Sequence, residues 1–110
     1  MKKVLIPLAP GFDEVEALTP ADILRRAGAE VTLAGTVEGM ITGRNLIRVL
    51  PDTVMDRVSA KDYDMIILPG GALGTENLKK DARVKKAVEE LMEMGRLKKP
   101  MKMIICLKWC

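Results

Sequence analysis

The residue with the most chemistry to offer is Cys106, which ends the apolar run MKMIIC near the close of a 110-residue chain. An apolar strand that brings a cysteine to its carboxyl end has the form of an approach to a nucleophile elbow, where a tight turn into a helix exposes the reactive side chain. The thiolate is the attacking species, and its pKa falls when a histidine, a cation or a helix N-terminus stands beside it. The chain has no histidine, so no Cys–His dyad forms within it, and only four residues follow Cys106, too few for an elbow helix. On these grounds the thiol is expected to titrate near an ordinary value of about 8.5, or higher if buried. Cys106 and Cys110 are also spaced C-x-x-x-C, but a closed zinc site takes four ligands, so the expectation is two incidental thiols and no metal.

Two further groups bear on catalysis. The apolar run DMIIL ends abruptly in PGGALG, a loop at the carboxyl end of a strand, where parallel sheets place their ligands. Without side chains, the amides of Gly70 and Gly71 can approach a substrate oxygen; a tight turn between strand and helix needs glycine equally, and both uses are compatible. The stretch is neither a dinucleotide fingerprint nor a Walker A loop, since no Lys-Ser/Thr pair follows the glycines. The third group is the acidic cluster Asp13, Glu14 and Glu16, whose plainest use is to dress the first turn of a helix, where negative charge is favourable.

The elements that must hold these residues follow from apolar spacing. Residues 3–9 (KVLIPLA) read as a first strand buried on both faces. Asp13 caps a helix, Thr19-Pro20 offers a second cap that restarts or kinks it, and Gly28 stops it. Residues 30–35 (EVTLAG) complete a β-α-β unit. A small hairpin follows, MITG and LIRVL turning at Gly43-Arg44-Asn45, and then the strand of residues 64–68. Asp81 caps a helix with Val84, Ala87, Val88 and Leu91 on one face, ended by Gly95, and residues 101–107 form a last strand. The expected fold is α/β: a doubly wound parallel sheet in a flavodoxin-like three-layer sandwich, with the C-terminal part missing.

Composition narrows the function classes. An apolar content of 48% with three aromatics and no run of about 18 apolar residues points to a soluble domain with no membrane partner. The N-terminal apolar run is broken by Pro10-Gly11 before a signal peptide could form, so a cytoplasmic location is expected. The net charge of +3 lies in the tail: residues 1–97 carry 14 Lys and Arg against 15 acids, while residues 98–110 carry four lysines and no acid. A basic tail without a stacking platform or a basic body does not make a nucleic-acid binder.

The sequence resembles the ThiJ/PfpI family, which includes the parkinsonism-associated protein deglycase and is related to class I glutaminase-like domains. The resemblance rests on LAPGFDEVEALTPADILRRAGAEVTLAG, on PDTVMDRVSAKDYDMIILPGGALGTENL and on the helix that follows to GRL, together nearly all of residues 1–97. It implies a cysteine at a strand-to-helix elbow, a glutamate beside it and a backbone-amide pocket for a carbonyl oxygen. Glu16 takes the place of the family glutamate, which hydrogen-bonds the cysteine sulfur; a carboxyl kept neutral by burial can donate to a thiolate. Gly70 and Gly71 match the paired glycines of the oxyanion pocket. In intact relatives the implied reaction is attack of the thiolate on a small aldehyde or glycated adduct, as deglycase, glyoxalase or protease-like hydrolase, with no cofactor. Counting back from Pro51 sets Asn45 rather than Arg44 at the place of a family arginine, so no role passes to Arg44.

The match breaks after GRL. The family passes directly into a short apolar strand, whereas KKPMKMIIC brings Cys106 four residues late and sets Lys102 at the cysteine's place. Either KKPM is an insertion ahead of a true strand, or the reading is altered after Leu97 and IIC is an accident. Residues 1–97 are therefore expected to form the family domain, and residues 98–110 a divergent or frameshifted tail that holds the nucleophile strand only on the first account. The functional expectation is family chemistry in impaired form. The alternative is a non-enzymatic module that binds or dimerises with a second copy through an open sheet edge, or an inactive fragment.

Overall fold

The computed structural model describes residues 2–97 and 103–106. The order of elements is β1 (Lys3–Leu8), α1 (Glu14–Arg26), β2 (Glu30–Gly35), β3 (Ile41–Thr42), β4 (Arg48–Val49), β5 (Thr53–Val54), β6 (Met65–Leu68), α2 (Ala72–Lys80), α3 (Ala82–Leu97) and β7 (Met103–Cys106). The main sheet is parallel in the order β5-β2-β1-β6-β7, and β3 and β4 pair antiparallel as a separate hairpin. Its four longer strands run first-second reversed, then outward, the beginning of the flavodoxin-like order.

Side-chain alternation along the strands builds the layers. Leu5, Ile66 and Leu68 point to one face and pack with Val84, Ala87 and Leu91 of α3. Val4, Ile6, Leu8, Val31, Leu33 and Ile67 point to the other, where Ala17 and Ala21 of α1 cover them. The strands read as continuous apolar runs because both faces are buried, as a parallel sheet requires.

α1 stays continuous through Pro20, so the restart expected at Thr19-Pro20 does not occur. It ends in a Schellman arrangement: Gly28, at φ +94°, donates to the Arg25 carbonyl and Ala29 to the Leu24 carbonyl. α3 runs past Gly95 to Leu97. α2 begins at Ala72, inside what the sequence suggests is loop. The expected loop at residues 98–101 and the second thiol, Cys110, lie outside the described residues.

Candidate functional site

The site begins at the first turn of α1. Asp13 is the N-cap, and its Oδ1 accepts from the Glu16 amide at 3.1 Å. Asp-x-x-Glu is the pattern of a capping box, in which the Glu16 carboxylate would fold back onto the Asp13 amide. Here the Gly70 residue stands between the two halves. The Asp13 amide donates to the Gly70 carbonyl at 3.0 Å, and the Gly70 amide donates to Glu16 Oε1 at 2.8 Å. Glu16, half-buried, is thus turned toward the loop between β6 and α2 and tied to it.

The glycines of that loop are there because backbone comes close. Gly71 has φ +94°, and a Cβ on it would lie 2.7 Å from the Gly11 carbonyl oxygen and 3.0 Å from the Asp13 nitrogen. A Cβ on Gly74 would lie 2.6 Å from Phe12 Cα. The first helical bond of α2 runs from the Thr75 amide to the Gly71 carbonyl at 2.7 Å, so the amides of Gly71, Ala72, Leu73 and Gly74 lack intrahelical acceptors. The Gly70 amide is engaged by Glu16. Gly71, the other glycine singled out in the sequence, carries its amide at the start of α2.

Cys106 arrives at the same rim. β7 pairs with β6 in parallel, Met65 opposite Met103 through Leu68 opposite Cys106, so the cysteine backbone lies level with Leu68, two residues before Gly70. β1 ends on this rim too, with Leu8 leading into the loop that carries Gly11 and Asp13. The topology therefore brings Glu16, Gly70, Gly71 and the Cys106 backbone to one end of the sheet, the end at which ligands of such folds bind.

A residue that sequence reasoning set aside is the most buried charge described. Glu14 is 3% exposed, although it was expected only to dress the helix start. Its Oε2 accepts from the amides of Asn45 at 2.8 Å and Ile47 at 3.2 Å, and its Oε1 from Asn45 Nδ2 at 3.1 Å. The two amides flank Leu46, whose φ of +70° curls the backbone into a concave donor pair of the kind that holds anions. Gly43 leaves the room: a Cβ there would collide with the Glu14 carboxylate. Burial pushes the Glu14 carboxyl up, but the bonds it accepts from its own amide, from Ile47 and from Asn45 outweigh this, and its pKa lies below the ordinary 4.5. The signal was legible in spacing, since positions 14, 17 and 21 share the helix face that carries buried Ala17 and Ala21. Arg44, half-exposed on the same turn, reaches Asp13 Oδ2 at 3.6 Å.

With this geometry in place, similarity to known proteins has a definite meaning. The sequence signature of the DJ-1/PfpI family matches residues 2–106. The chain belongs to the DJ-1/PfpI family. It is similar to protein DJ-1 homolog B of Arabidopsis thaliana, 40% identical over 98 residues that cover 87% of this chain and 22% of that protein. A deglycase of Thermococcus kodakarensis is 38% identical over 69 residues, 63% of this chain and 42% of the relative. The fold superposes on oxidized Toxoplasma gondii DJ-1 with a TM-score of 0.87 at 31% identity, covering 96% of this chain and 55% of the other. The chain thus spans about half, or less, of the length of these family members.

Among the described residues no group of three or more His, Cys, Asp or Glu is placed to hold a metal ion, and no helix is long and apolar enough to cross a membrane.

Proposed function

We propose that the DJ-1/PfpI site carries out cysteine-dependent chemistry on small aldehydes or glycated adducts. The observation that carries this reading is the bond from the Gly70 amide to Glu16 Oε1, on the rim to which β7 brings Cys106. In it, Cys106 is the nucleophile, Glu16 supports its thiolate, and the Gly71 amide receives the carbonyl oxygen as charge develops there. Attack of the sulfur on an aldehyde carbon gives a hemithioacetal, with the proton passing to the former carbonyl oxygen. The deglycase from Thermococcus kodakarensis supports the substrate class. The test is consumption of methylglyoxal by the chain against its Cys106→Ser variant: a rate that falls to the uncatalysed level in the variant supports the reading, and equal rates in the two proteins remove it. A cytoplasmic setting, which keeps thiols reduced, suits this role.

A second reading, a module that pairs with a second copy of itself, is favoured by one surface. Val15 and Ile23 on α1 and Ile47 on the hairpin are 68%, 57% and 51% exposed. With Leu18 and Thr19 they line an open groove of about 480 Å³ that includes none of Glu16, Gly70 or Gly71. Apolar faces of this kind on soluble proteins mark contact sites. The two readings are compatible, since they use different sides of the first helix.

A further inference from the structure

The first turn of α1 carries two carboxylates two residues apart, and a helix turning about 100° per residue sends them to different neighbours. Glu16 goes to Gly70, whereas Glu14 goes to the turn at residues 43–47. That turn and the end of β3 before it are bonded to the loop ahead of the helix: the Gly11 amide donates to the Thr42 carbonyl at 2.9 Å, the Arg44 amide to the Phe12 carbonyl at 2.9 Å, and the Arg44 guanidinium faces Asp13. The same loop gives its Asp13 amide to Gly70 and holds its Gly11 carbonyl against Gly71.

We propose that Glu14 is a positioning residue for the Gly70–Glu16 pair, its buried carboxylate fixing the 43–47 turn, which in turn props residues 11–13 where they meet Gly70 and Gly71. This deepens the reading of the site given above and rests on it for its functional meaning. The physical reason is that residues 11–13 have no regular secondary structure of their own and are fixed by bonds to segments distant in sequence. One of those segments contains a non-glycine residue in the left-handed region, a conformation that persists only where its surroundings over-determine it. The carboxylate, taking three donors from that turn, supplies the determination. Without it, Leu46 relaxes, Arg44 leaves Phe12 and Asp13, and the Gly70 carbonyl and amide lose the frame that aligns them with α1.

The experiment is amide hydrogen exchange, read by NMR on the full chain, for the wild type and for Glu14→Ala, Glu14→Gln and Glu14→Asp. In the alanine variant the amides of Asn45 and Ile47 exchange faster, and those of Asp13 and Gly70 accelerate with them by about tenfold. The Leu33 amide, held by Asp52 at 2.9 Å, keeps its rate. Glutamine restores protection, because its carboxamide oxygen accepts from the two amides while Asn45 turns its own oxygen toward the new NH₂. Should the alanine variant not fold, Glu14→Asp, which withdraws the carboxylate by one methylene, gives the same pattern. Wild-type rates at Asp13 and Gly70 in a variant that frees Asn45 and Ile47 would overturn the proposal, as would uniform acceleration that includes Leu33. Neither readout depends on aldehyde turnover, so a failed relay and a failed thiol chemistry give different results.

Discussion

Residue by residue, the site is held by carboxylates that are bonded rather than merely placed. Asp81 resembles Glu14 in this respect: burial pushes its carboxyl up, but the Arg83 side chain, the Val84 amide and the Arg83 charge hold its pKa below the ordinary 3.8. Both groups are more acidic in the folded chain than in the unfolded one. The stability they contribute is therefore complete above those ordinary values and is lost as the pH falls through the folded-state pKa values. Acid unfolding followed by circular dichroism is expected to show a steep loss below about pH 4.5 in the wild type and a shallower one in a Glu14→Gln, Asp81→Asn double variant. Equal acid limbs in the two proteins would show that neither carboxylate is linked to folding. The chemistry of these residues was only partly visible in the sequence. Glu16 stood out through its motif, whereas Glu14 disclosed itself through the Ala17 and Ala21 that share its face, a signal hidden by the ordinary preference for acids at a helix start.

Among the elements, α2 is the one whose start the glycines conceal. Gly-Gly-Ala-Leu-Gly has poor helix propensity, so it reads as loop, yet Gly74 sits in the first turn because only a hydrogen fits against Phe12. Phe12 is fully buried and cannot retreat. Gly74→Ala, which raises intrinsic helix propensity, is therefore expected to lower stability by about 1–3 kcal/mol through overpacking. A chemical denaturation midpoint at or above that of the wild type would mean that the two segments separate more easily than the geometry states. The other elements were legible for a common reason. β1, β2 and β6 are apolar runs because both faces of the sheet are covered, and α3 shows its buried Val84, Ala87 and Leu91 at helical spacing. β5, two residues long, takes its identity from pairing with Ala34 and Gly35, which no local pattern reveals.

For the whole molecule, the fold class followed from the sequence because β-α-β spacing admits few topologies, and the parallel order β5-β2-β1-β6-β7 is one of them. What did not follow was which surface remains uncovered. The sequence suggested an open sheet edge; the structure adds the apolar face of α1 and the hairpin, with Leu46 79% exposed beside Ile47. If that face pairs two copies, sedimentation velocity is expected to show a concentration-dependent shift toward dimer that Ile23→Glu abolishes, because a charge buried without a partner is costly. A monomer at every concentration would leave the face without this role.

In the proposed reaction Cys106, Glu16 and the Gly70–Gly71 loop act as one site. The most direct test is the pH dependence of Cys106 alkylation, followed by mass spectrometry, in the wild type and in Glu16→Leu. If Glu16 stabilises the thiolate, its loss is expected to raise the apparent thiol pKa by about one unit. A thiol that titrates identically in both proteins would contradict the account.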